Sequence, residues 1–297
     1  MRYISGRKNL SCTIFVPWDC KNHCRFCTSK HMYKERQCDM EAILHQIKKM
    51  NENPFIKEFV FTGGEPLADL EKLQILLDAC QKPVYVNTTF PMTDNIDEVI
   101  EFVNNSKING INISRHMHQK FAEDVLSEYS FYEIKKPIKM NVVLSKEFDV
   151  DEFMRFISPF RELKLRNFLI CIRADYRYIN KDNLKNRDDV FDKLMTKFEY
   201  SHSGGCMVCN DDRFYDKDLT ISYHRGMESS VVVYGNRRYV NDVLVTIDGM
   251  LYKDWDFKTD TEFERWVYGD FTLEDDVTEY ENDEEFINWL LHKNGIN

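Results

Sequence analysis

A chain of 297 residues, 43% hydrophobic and 30% charged, carries enough apolar material for one large core, or for a core with a small appendage. Its formal net charge of −10 argues against a broad nucleic-acid or anionic-membrane surface, because neutralising phosphates needs clustered lysines and arginines. The first residues hold no signal-type apolar run and no window approaches the ~20 apolar residues of a spanning helix, so a cytoplasmic protein without a membrane segment is expected.

In chain order, Thr13–Pro17 reads as a strand that runs into a loop bearing Cys20, Cys24 and Cys27. Asp39–Met50 reads as a helix, with Met40, Ile43, Leu44, Ile47 and Met50 on one stripe. Glu58–Thr62 is a short strand ending in Gly63-Gly64-Glu65-Pro66, and Asp69 is placed to cap a helix reaching about Cys80. The alternation continues with strand Val84–Thr88, helix Ile96–Val103, strand Gly110–Ser114, a helix from near His118, strand Lys139–Leu144, helix Val150–Ile157 and strand Leu165–Ile172. Strands separated by helices pair in parallel through right-handed crossovers, so an α/β fold is expected, either an open parallel sheet or a partial barrel.

After Ile172 the pattern changes, which places a boundary near residue 175 and divides the chain into 1–175 and 176–297. Tyr176–Asp188 reads as a polar loop, Asp189–Phe198 as a helix and Ser201–Asp212 as irregular. Val231–Tyr234, Tyr239–Val245 and Met250–Tyr252 read as antiparallel strands turning at Gly235-Asn236 and Asp248-Gly249. Asp283–Lys293 reads as a closing helix with acidic residues leading, as the helix dipole favours.

Of nine cysteines, three crowd into the eight residues Cys20–Cys27, which in a reducing compartment points to metal rather than disulfides. Three thiolates on a four-iron cluster leave one iron open, and an open iron can chelate an amine and a carboxylate together. A zinc ion with His23 or His31 as a fourth ligand is an alternative, as is chance crowding. Gly63 and Gly64 let backbone approach a ligand closely, and Glu65 places a carboxylate where an ammonium could bind; a plain tight turn is the competing reading.

The Cys-x3-Cys-x2-Cys loop, with Phe26 before its last cysteine, and the Gly-Gly-Glu turn together resemble the radical S-adenosylmethionine (radical SAM) superfamily over about residues 11–175. The resemblance implies a partial (β/α)6 TIM-like barrel, a 4Fe–4S cluster on Cys20, Cys24 and Cys27, and reductive cleavage of S-adenosylmethionine to a 5′-deoxyadenosyl radical that abstracts hydrogen from a substrate. It also implies that Gly63, Gly64 and Glu65 hold the methionine amino group and that Phe26 lies against the adenine. Thr88, Ser114 and Asn141 would contact the nucleoside, and a carrier such as flavodoxin or ferredoxin would deliver the electron. Thr62–Leu67 and Lys139–Val143 are similar to the GTP-cyclising enzymes of molybdenum-cofactor synthesis. That group has three C-terminal cysteines, where this chain has only Cys206 and Cys209.

Cys206-x2-Cys209 is open to four readings: a second iron–sulfur cluster, zinc with His202 or His224, a hydrogen-donating thiol, or a packed turn. Asp248–Asp254 resembles an element of the auxiliary-cluster (SPASM and twitch) domains, with Asp254 standing where a cysteine would. Cys12, Cys38, Cys80 and Cys171 are expected to pack in the core. Arg115 and His116 after the fourth strand, Lys139 on the fifth, and Arg173 and Asp175 after the sixth are candidate substrate contacts, since arginine binds phosphate and carboxylate in bidentate fashion. The leading expectation is an enzyme acting on a small, anionic or nucleotide-like molecule. The alternatives are a peptide-modifying enzyme, an epimerase or crosslinking maturase, that uses the Cys206–Cys209 region, and a non-enzymatic iron–sulfur or zinc module.

Overall fold

The computed structural model describes residues 2–5, 10–22, 24, 27, 29–90, 96–115, 130–144, 148–163, 165, 167–174, 181–202, 211–216, 218–224, 231–235 and 237–268. In chain order the elements are β1 (Arg2–Ser5), β2 (Leu10–Phe15), α1 (Met32–Glu35), α2 (Met40–Glu52), β3 (Ile56–Thr62), a 3-10 turn at Pro66–Ala68, α3 (Leu70–Ala79), β4 (Val84–Thr88), α4 (Ile96–Asn105) and β5 (Ile108–Ser114). They continue with α5 (Ser130–Glu133), β6 (Ile138–Leu144), α6 (Val150–Leu163), β7 (Phe168–Ala174), α7 (Lys181–Lys197), β8 (Glu199–His202), β9 (Asp211–Asp216), β10 (Leu219–His224), β11 (Val231–Tyr234), β12 (Arg237–Val240), β13 (Asp242–Val245), β14 (Leu251–Tyr252) and α8 (Thr261–Val267). Asp69 forms the expected cap, accepting from the Lys72 amide at 3.1 Å, and Asp39, expected as the first helical residue, instead caps α2 by accepting from the Ala42 amide at 2.9 Å.

Eleven strands form one sheet in the order β14-β13-β2-β3-β4-β5-β6-β7-β10-β9-β8. β2 to β7 run parallel, and one further parallel strand adds to each flank, β13 beside β2 and β10 beside β7. This is a mixed α/β fold of the partial TIM-like barrel type. Strands from both sides of residue 175 therefore share one sheet. β1, β12 and β11 form a second, three-stranded sheet.

Side chains alternate across a strand, and here the alternation separates two environments. Cys12, Ile14, Phe59, Phe61, Val86, Ile111, Met140, Val142, Ile170, Ile172 and Tyr223 are buried against the helices. The alternate positions face the concave side, and many are polar. Asn112 Nδ2 donates to Asn87 Oδ1 at 2.7 Å, and Thr13 Oγ1 donates to Asp242 at 3.0 Å.

Several expectations are corrected. The Tyr176–Asp188 segment is not all loop, because α7 starts at Lys181. The Ser201–Asp212 segment is bracketed by strand at both ends. The expected strand Tyr239–Val245 breaks at Asn241: its first half pairs antiparallel with β11, and its second half pairs antiparallel with β14 across the expected Asp248-Gly249 turn and also parallel with β2. α8 is an addition, capped by Asp260 accepting from the Phe263 amide at 3.1 Å. The helices expected near His118 and over Asp283–Lys293 lie outside the described residues. Among the described residues no helix is long and apolar enough to cross a membrane.

Candidate active site

The site forms where β2 and β3 end. The Val16 amide donates to the Thr62 carbonyl at 2.9 Å, extending the ladder past β2, so the cysteine loop and the diglycine turn leave the sheet side by side. Trp18 Nε1 then donates to the Glu65 carbonyl at 2.8 Å. Gly64 is packed so tightly that a Cβ there would overlap the Trp18 carbonyl oxygen and lie 2.8 Å from the Asp19 carbonyl carbon. Gly63 has φ +107°, and a Cβ on it would strike the Tyr33 hydroxyl. That hydroxyl accepts from the Gly64 amide at 2.5 Å and donates to the Val16 carbonyl at 2.9 Å. Burial holds the Tyr33 phenol well above its usual range.

Cys20, Cys24 and Cys27 line a cavity of about 270 Å³ together with Gly63, Gly64 and Glu65. Thr88, Ser114, Asn141 and Arg173 line its other side, from the carboxyl-end segments of β4 to β7. The Asn22 amide donates to Cys20 Sγ at 3.3 Å, and Ser29 Oγ, 3.5 Å from Cys27 Sγ, donates to the Gly63 carbonyl at 3.2 Å. Burial lifts the Cys20 thiol, and burial followed by the neighbouring Cys27 and Cys20 thiols pushes Cys24 up to about 12.

Glu65 is 3% exposed, and its carboxylate is fully engaged. Oε1 accepts from Thr88 Oγ1 at 2.5 Å and the Leu67 amide at 3.2 Å; Oε2 accepts from the Thr89 amide at 2.8 Å and Thr89 Oγ1 at 2.7 Å. Burial lifts its pKa above the usual carboxylate range even though these bonds pull it down. Asn22 Nδ2 donates to Thr89 Oγ1 at 2.8 Å, so the cysteine loop is hydrogen-bonded into the same network. Glu65→Gln would set an amide NH2 against one pair of these donors. It is expected to destabilise the protein by about 1–3 kcal/mol, measured by urea unfolding.

The other candidates divide. Arg115 is 6% exposed and does not line the cavity; its guanidinium donates to the Thr89 carbonyl at 2.6 Å and the Ser114 carbonyl at 2.9 Å, bracing the ends of β4 and β5. Lys139 lies one lumen-facing position below Asn141 and does not line the cavity. Asp254 Oδ1 accepts from the Trp255 amide at 2.7 Å in the turn after β14, and it too is absent from the cavity wall. Phe26, His116, Asp175, Cys206 and Cys209 lie outside the described residues. Asn22, Asn87 and Thr89 were not anticipated. The Thr88-Thr89 doublet at the end of a strand, beside a buried acid, is the signal that could have flagged Thr89.

The donor set suits a multi-iron cluster and a polar nucleotide. Cys20, Cys24 and Cys27 line one cavity, and a four-iron cube spreads its three ligands over separate irons. Asn141, 9% exposed on the cavity wall, has a buried Oδ1 with no hydrogen-bond partner among the described residues, so it is an acceptor waiting for a donor. The sequence model of the Radical SAM superfamily matches residues 19–165. The chain belongs to the radical SAM superfamily. Its cofactors are accordingly a 4Fe–4S cluster and S-adenosylmethionine.

Solved radical SAM structures share the fold. Streptococcus suis SuiB bound to S-adenosylmethionine superposes with a TM-score of 0.57 at 13% identity, covering 88% of this chain and 66% of SuiB. SuiB bound to its precursor peptide SuiA gives 0.53 at 12% identity, covering 95% and 66%. The enzyme anSMEcpe with bound AdoMet and the Cp18Cys peptide gives 0.51 at 17% identity, covering 95% and 83%. The chain thus spans just under two thirds of the length of SuiB, and at these identities the likeness is one of fold. Comparison with curated proteins gives no match.

Proposed function

We propose that Cys20, Cys24 and Cys27 ligate the cluster, that S-adenosylmethionine lies between it and the diglycine turn, and that the enzyme acts on a small anionic or nucleotide-like substrate. The observation that carries this reading is the single cavity shared by the three cysteines, the Gly63–Glu65 turn and Arg173. When bound, the cluster supplies the electron that splits S-adenosylmethionine into methionine and a 5′-deoxyadenosyl radical.

The chain's own residues bind and orient. Glu65 spends its four acceptor positions on Thr88, Thr89 and Leu67, so it fixes the turn to β4 and lends a buried negative charge, leaving direct acceptance of the methionine ammonium to backbone carbonyls of the turn. Asn141 Oδ1 would accept from a ribose hydroxyl, with Thr88 and Ser114 beside it. Arg173 would meet the substrate's anionic group. A low-potential carrier of the flavodoxin or ferredoxin kind would reduce the cluster.

Anaerobically reconstituted protein given dithionite and S-adenosylmethionine should release 5′-deoxyadenosine, and phosphorylated or carboxylated metabolites should raise that release. No release under any condition would reject the radical reading. A second reading, peptide modification, is favoured by the peptides bound in SuiB and anSMEcpe. Stimulation by peptides and not by small anions would establish it instead.

A further inference from the structure

Cys20 opens the cysteine loop, and the segment around it is held at both ends by one residue. On the near side, Trp18 Nε1 donates to the Glu65 carbonyl at 2.8 Å. On the far side, Asn22 Nδ2 donates to Thr89 Oγ1 at 2.8 Å, and Thr89 donates to Glu65 Oε2 from its hydroxyl at 2.7 Å and its amide at 2.8 Å. Between these supports, Asp19 Oδ1 accepts from the Cys20 amide at 2.7 Å, and the Asn22 amide donates to Cys20 Sγ at 3.3 Å. Residues 18–22 thus form a bracket with both feet on Glu65.

The chemistry of Glu65 fixes the direction of the outer foot. Its carboxylate already accepts from Thr88, Leu67 and Thr89, which leaves no position for a proton of its own. The Thr89 hydroxyl gives its hydrogen to Oε2 and has only lone pairs left for Asn22. The Asn22 amide must therefore turn its NH2 toward Thr89, and Oδ1, turned the other way, is buried with no partner among the described residues. One bond orients this side chain. Asn22 also lines two cavities at once, the one of about 270 Å³ that holds the three cysteines and another of about 400 Å³ bounded by Leu67, Asp69, Glu71 and Glu98. Space lies on both sides of it, so packing does not replace the bond if it is cut.

We propose that Asn22 is a positioning residue for Cys20, the link through which Thr89 and Glu65 set the hydrogen bond on its sulfur and so tune the reduction potential of the cluster. The inference rests on the assignment of Cys20 as a cluster ligand and extends it to the residues that hold that ligand. Hydrogen bonds to the sulfurs of an iron–sulfur cluster are one of the levers on its potential, and they favour the reduced, more negative form. The Asn22 amide belongs to the backbone, but its aim at Cys20 Sγ depends on the turn that the Asn22 side chain ties down. The first cysteine and the diglycine turn accordingly share one support.

The test compares the full-length parent with Asn22→Leu, Thr89→Val and the double variant. Loaded anaerobically with the cluster, each single variant should show a midpoint potential below the parent's, in a redox titration followed by electron paramagnetic resonance, and should lose iron to a chelator about tenfold faster. The double variant should move no further than the larger single, since both changes cut the same link, whereas separate packing roles would make the shifts add. Thr89→Ser, which keeps the hydroxyl, should match the parent. In iron-free protein, alkylation of Cys20 read by peptide mass spectrometry should be a few-fold faster in both single variants, and this readout decides the matter for any variant that holds no iron. A parental potential in Asn22→Leu, additive shifts in the double variant, or parental alkylation of Cys20 in both single variants would overturn the bracket alone. A parent protein that takes up no four-iron cluster would overturn the assignment on which it rests.

Discussion

Cys24→Ser is expected to reduce 5′-deoxyadenosine release to below about a hundredth of the parent rate and to strip most of the iron from the purified protein. Loss of an outer-shell partner costs up to ~100-fold in metal affinity or activity, and loss of a ligand exceeds that. The Cys24 thiol is pushed up to about 12 by burial and by the thiols of Cys27 and Cys20. At neutral pH it holds its proton, so only the charge of a bound metal converts it to a ligand, and loading must expel that proton. The sign follows: iron retention should fall as pH drops from about 9 to about 6, and acid should release it. Cys38→Ser is the control, since Cys38 is exposed and lies outside the cavity wall. Iron content near that of the parent in the Cys24→Ser protein would remove the three-thiolate assignment.

Much of the barrel was legible because its signals are local. Asp69 caps α3 as expected, β4 spans the expected Val84–Thr88, and the diglycine turn follows a strand whose alternating burial is written in its residues. What was not legible depends on pairing between distant segments. Asp242–Val245 is only four residues long, and nothing within it says that β2, more than 200 positions earlier, pairs along its other edge from the adjacent β14. The same limit hid the faces of side chains. Cys171 reads as core by residue type, and only the register of β7 against β10 shows that it faces the concave side beside His224. Arg115 reads as a candidate for the cavity mouth because it follows a strand, yet carbonyls of two strand ends hold its guanidinium. Glu65 reads as a carboxylate open to an ammonium, and the threonines that fill its carboxylate come from the next strand.

Gly64→Ala tests whether the turn and the cysteine loop work as one unit. Unlike Gly63, Gly64 does not sit in the left-handed region, so its own backbone tolerates alanine. The added methyl would instead collide with the Trp18 carbonyl and crowd the Asp19 carbonyl carbon, both backbone atoms of the segment leading directly into Cys20. Backbone cannot rotate away as a side-chain tip can, so the loop must shift, taking Cys20 with it and straining the Trp18 indole bond to the Glu65 carbonyl. A displacement of ~1 Å in a reacting constellation costs on the order of a hundredfold in rate. Release of 5′-deoxyadenosine should therefore fall about a hundredfold, with S-adenosylmethionine binding weakened and the fold retained by circular dichroism. Gly235→Ala provides the contrast. It sits at φ +60° with nothing within 4 Å of a new Cβ, so it should cost about 1–2 kcal/mol of stability and leave iron content and release unchanged. If Gly64→Ala protein matched the Gly235→Ala protein in both readouts, the contact between turn and loop would be packing without consequence for the chemistry, and the coupling of cluster and nucleotide would have to run through Asn22, Thr89 and Glu65 instead.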